Sequence, residues 1–135
     1  MDAAEDLPKR KLARPVIVVL TLGGGTSSLT ADRVLGRLRT SGALMMVLGA
    51  GSGGRTDQEV ANVLDQGTTQ SGGRFEEFRT QESIAQLLLK IGDELLHQYA
   101  VSYTLPAGTK PDERVNVAAT RKGVSLRVPS RLPIN

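Results

Sequence analysis

Pro15–Ser28 reads PVIVVLTLGGGTSS. The unbroken apolar run Val16–Leu20 predicts a strand buried on both faces, the kind found in parallel sheets. It runs directly into three glycines and then Thr26, Ser27 and Ser28. In an open α/β sheet the ligand sites lie beyond the carboxyl ends of the strands, and this is such an end.

Working outward, Thr30 is placed to cap a helix with Asp32 in its first turn. Val34, Leu35 and Leu38 share one face of it, and Gly42 stops it. Ala43–Leu48 (ALMMVL) is a second buried-type strand, so strand, helix and strand form a βαβ unit with parallel pairing. After the glycine loop 49–54, Thr56 and Glu59 have capping-box spacing. Val60, Val63 and Leu64 mark a short helix ending near Gly67, and Thr68–Gly73 is turn-rich. Arg74–Phe78 is a brief third strand. A long helix follows over Gln81–Gln98, with Ile84, Leu88, Ile91 and Leu95 as its core stripe and Leu87 widening it.

Past that helix the period changes to two. Tyr99, Val101, Tyr103 and Leu105 alternate with small or polar residues, as do Val115, Val117 and Ala119, and then Val124, Leu126 and Val128 after a turn at Lys122-Gly123. These predict an antiparallel β-meander. The expected organisation is therefore a disordered leader (1–14), an α/β unit with a partial doubly wound, Rossmann-like parallel sheet (15–98), a β-meander (99–129) and a tail (130–135).

Composition removes several function classes. The chain has no cysteine and one histidine, which excludes disulfides, thiolate chemistry and multi-histidine metal sites. The net charge of +3 is not arranged as a basic stripe with stacking aromatics, so no nucleic-acid partner is expected. Lys9, Arg10, Lys11 and Arg14 before Val16–Leu20 imitate the start of a signal peptide, but the acidic Asp2, Glu5 and Asp6 and the absence of an A-x-A site argue against one. No apolar run approaches the roughly 20 residues of a membrane span, so the chain as written reads as soluble.

Two loops carry the candidate ligand contacts: Gly23, Gly25, Thr26, Ser27 and Ser28 after the first strand, and Gly49 and Gly51 after the second. Gly49–Gly54 matches G-x-G-x-x-G between a strand and a helix, with Glu76 and Glu77 where a ribose-binding carboxylate would fall. It follows the second strand rather than the first, and its helix is short. Gly23–Ser28 could cradle a phosphate but lacks the lysine of a P-loop. Asp32 and Asp57 near these loops are most simply helix N-terminal charges. His97 suits the C-terminal dipole of the long helix better than a triad, since no G-x-S-x-G elbow accompanies it. Tyr99 and Tyr103 read as core, and Arg121, Lys122, Arg127 and Arg131 as a solvated basic face or an anionic-surface contact.

The order of these motifs resembles the second half of a von Willebrand factor type A (VWFA) domain, most like the bacterial VWFA-related group. The matching segments are Leu20-Thr21-Leu22-Gly23, Thr26-Ser27-Ser28, Leu48-Gly49-Ala50-Gly51, Ser71-Gly72-Gly73-Arg74, Asp93–Tyr99 and Arg121–Val124, together spanning about Pro15–Pro129. The resemblance implies a protein-binding module, in a family whose members are often secreted or on the cell surface. It also implies a degenerate metal-ion-dependent adhesion site. The family's Asp-x-Ser-x-Ser is missing from this sequence, and Leu22 stands where the Asp of Thr-Asp-Gly belongs. Without carboxylates a hard divalent cation has only hydroxyls to hold it. No metal, cofactor or catalytic residue is assigned. The resemblance starts at the family's fourth strand, which leaves Val16–Leu20 as an apolar edge expected to self-associate or take a protein partner. The alternative reading is a nucleotide-binding α/β protein using the Gly49–Gly54 loop.

Overall fold

A computed structural model describes residues 2–10, 12, 14–23, 28–51, 57–109, 112, 114 and 116–131. In chain order its elements are α1 (Asp2–Asp6), a 3-10 turn (Pro8–Arg10), β1 (Val16–Thr21), α2 (Ala31–Ser41), β2 (Leu44–Ala50), α3 (Gln58–Ser71), β3 (Arg74–Phe78) and α4 (Gln81–Leu96). The three strands form one parallel sheet in the order β1-β2-β3, with Val16 beside Leu44 and Met46 beside Arg74.

β2 is the strand that is buried on both faces. Met46, Val47 and Leu48 have no exposed surface. Its alternation splits the core in two. Met45 and Val47 point to the face covered by α2 and α3, where Leu38, Ala43 and Leu64 join them and Ile17, Val19 and Phe75 pack alongside. Met46 and Leu48 point to the other face, where Phe78 and α4, through Ile84, Leu87, Ile91 and Leu95, close over them. Helices thus cover both faces, as a parallel sheet requires.

β1 departs from the expectation of a strand buried on both faces. Ile17 and Val19 pack under the helical layer, but Val18 and Leu20 are 45% and 55% exposed. The reason is reach: α4 lies over β2 and β3 and stops short of β1.

Other boundaries also move. Residues 2–6, expected as part of a disordered leader, are helical, with Leu7 against the core and Glu5 paired to Arg37. The helix expected to end near Gly67 continues to Ser71 and ends at Gly72, whose φ of 79° is the left-handed cap. Gly67 is buried inside it, because a Cβ there would stand 2.6 Å from Met45 Sδ. Thr68 and Thr69 lie inside this helix, their hydroxyls donating to the carbonyls of Leu64 and Asp65 at 2.8 Å each. The cap of α3 is Asp57; Thr56 lies outside the described residues. In α4, Leu87 takes the core place expected of Leu88, which is 46% exposed.

No meander forms among the described residues of 99–129. Tyr99, Val101 and Tyr103 are 92%, 77% and 58% exposed, and the one pairing is an antiparallel bridge between Arg114 and Arg131. Alternation makes a strand only where a face is there to bury one side, and the exposed described residues among 99–127 lie against none. The chain returns at Val128–Ser130, where Ser130 N–H donates to Gln70 O at 3.2 Å and the backbone lies on Gly72.

Candidate functional site

The carboxyl ends of the three parallel strands share one edge of the sheet. Gly23 lies just past β1 with a φ of 92°, its N–H donating to Thr21 Oγ1 at 3.2 Å. Ser28 is exposed, while Gly25, Thr26 and Ser27 lie outside the described residues, as do 52–54 of the G-x-G-x-x-G segment. Gly49 belongs to β2 itself. A Cβ on it would come within 2.4 Å of Phe75 Cζ, so this glycine makes room for a ring of the core. Gly51 has a φ of 54°, and the carboxylate of Glu77 lies 3.6 Å from where its Cβ would be.

The helix N-termini at this edge already hold carboxylates. Asp57 accepts from the N–H groups of Glu59 and Val60 at 2.8 and 3.3 Å, and Glu59 accepts from Ala31 N–H at the start of α2. Thr30, expected to cap α2, makes no side-chain cap bond. A phosphate would use these same donors and would meet two negative charges first. Glu76 does not face the edge either: it pairs with Arg74 at 2.9 Å and Lys90 at 3.3 Å. Among the described residues no group of three His, Cys, Asp or Glu is placed to hold a metal ion. Leu22 is 77% exposed. His97 sits at the C-cap of α4 with Nδ1 2.7 Å from Asp93 O, the structural place its position suggested.

The most distinctive surface lies at the side of the sheet. Among the described residues no strand pairs beyond β1, so its outer backbone groups are open. Val18 and Leu20 form an apolar floor on the face that α4 leaves bare, and Leu22 continues the row. The wall beside that floor is α4. Its charged flank faces β3, where Glu94 lies 3.4 Å from Arg74 and Lys90 reaches Glu76. The opposite flank is Ala85, Leu88 and Gly92, with Leu89 and Leu96 at 74% and 82% exposure toward the outside and the exposed carboxylate of Asp93 beside them. The sequence carried a signal for this. Leu87-Leu88-Leu89 and Leu95-Leu96 spread leucines over a wider arc than one sheet face can bury.

The fold and this site define a class: a small α/β unit whose parallel sheet is covered on both faces but open at one side. No protein-family model, curated protein or solved structure matches the chain.

Proposed function

We propose that the chain is a non-catalytic protein-interaction module, a partial doubly wound sheet resembling the C-terminal part of a VWFA domain without its metal-ion-dependent adhesion site. One observation carries the reading: β1 combines the exposed side chains of Val18, Leu20 and Leu22 with a backbone edge to which no strand among the described residues pairs. Proteins usually blunt such an edge with lysine, proline or a bulge, and no residue from Val16 to Leu22 does so. An extended partner segment would satisfy the backbone by strand addition and bury its apolar side chains on the floor.

Short extended peptides selected from a displayed library test this. Binding is expected to be lost in Val18→Lys/Leu20→Lys while the thermal melt of that variant stays cooperative. Melts with Mg²⁺, Mn²⁺, ATP and NAD run beside it, since a ligand that binds only the folded state raises the midpoint. Indifference to all of them is the expected result. A rise with metal or nucleotide overturns the reading in favour of a ligand site at the strand ends.

A further inference from the structure

The geometry points to a second copy of this chain as the occupant of the open side, an inference that rests on the interaction reading above. Two copies pack face to face about a two-fold axis, the α4 of each lying on the β1 floor of the other. A self-complementary surface is what a two-fold dimer needs. Here the helix covers β2 and β3 and the floor is bare at β1, so each copy presents a step, and two steps interlock.

The chemistry of the two halves agrees. The floor, Val18 to Leu22, carries no charge, and α4 turns Lys90 and Glu94 away from it toward β3, which leaves Asp93, beside His97, as the acidic member of the groove that Leu88, Leu89 and Leu96 line. Leu89 and Leu96, the outermost leucines of α4, are the side chains that would reach the partner's floor. On the flank between the two helices a Cβ at Gly92 would meet nothing within 4 Å, so the pair can lie close. The size also fits. Val18, Leu20, Leu22, Leu88, Leu89 and Leu96 are 45–82% exposed. At roughly 100 Å² for such a side chain, they offer about 400 Å² of apolar surface per copy. A standard interface buries about 800 Å² per partner, rather more than half of it non-polar.

The test is the mass of the purified chain by size exclusion with light scattering, from low micromolar concentration upward. A dimer is expected, becoming a monomer with a cooperative melt in Leu89→Glu/Leu96→Glu. A second measurement is independent of how that variant folds. The chain has no cysteine, so Val18→Cys and Leu89→Cys proteins can be mixed and oxidised. A disulfide needs Cβ atoms about 4 Å apart. The mixed disulfide should exceed either homodisulfide several-fold. A predominant Val18→Cys homodisulfide would mean edge-to-edge pairing of β1 and overturns the face-to-face dimer. A dimer that survives Leu89→Glu/Leu96→Glu does the same. A wild-type monomer at every concentration overturns self-association alone, and the peptide selection then decides the interaction reading separately.

Discussion

Glycine does three different jobs in this chain, and substitution separates them. At Gly73 a Cβ would stand 1.9 Å from the backbone oxygen of Met45, in the central strand, where nothing can yield. Gly73→Ala is expected to cost about 3 kcal/mol, at the upper end for overpacking. That lowers the melting midpoint by roughly 10 °C. Gly36, in the middle of α2, has no atom within 4 Å of the added Cβ. Gly36→Ala should therefore stabilise by about 1 kcal/mol through helix propensity, raising the midpoint by roughly 4 °C. Gly49 falls between them, because its neighbour is the tip of the Phe75 ring rather than backbone. The sequence places it in a loop, since it follows an apolar run and opens a glycine-rich motif, whereas it lies inside β2. Its work under Phe75 was not legible, because that depends on how far β3 slides along β2.

At the scale of elements, most starts and stops were readable because each has a local chemical cause. Gly42 ends α2 in the left-handed conformation, and Arg74–Phe78 is β3 to the residue. What could not be read were supports that come from elsewhere in the chain. The N-terminus of α2 leans on Glu59 of α3, a residue 28 positions away, while its own Thr30 makes no side-chain bond. Glu59→Ala should cost about 1 kcal/mol by leaving Ala31 N–H without this acceptor, measured by denaturant midpoint at constant slope. α4 begins differently. The carboxyl of Glu82 is held below the ordinary glutamate range by its own backbone N–H and then by the Thr80 hydroxyl. With the folded value below the unfolded one, this contribution is present above the unfolded value and is lost as pH falls through the folded one. Wild type should lose stability in that acid window more steeply than Glu82→Gln, followed by thermal melts against pH.

For the whole molecule, the two-sided core and the parallel order were foreshadowed by the βαβ spacing. The tail was misjudged because period-two alternation records only that a strand is possible. Residues 99–127 have the pattern, but among the described ones Tyr99, Val101, Tyr103, Val117, Val124 and Leu126 stay in solvent. Besides the Arg114–Arg131 bridge, the last described stretch is tied down. Arg127 pairs with Glu94, a carboxylate that Arg74 also approaches at 3.4 Å, and Val128–Ser130 settles on the C-terminal end of α3. Around Arg121 and Lys122 the described residues 116–130 form no helix or strand to resist a protease, whereas the arginines of α2 sit on a helix packed to the sheet. Trypsin should therefore cut first at Arg121 and Lys122, before Arg33, Arg37 or Arg39, as read by mass spectrometry over a time course. Since both core clusters lie between Leu7 and Leu95, the nicked protein should keep a cooperative melt. Early cleavage inside α2, or loss of that melt once Lys122 is cut, would show that the tail carries part of the core after all.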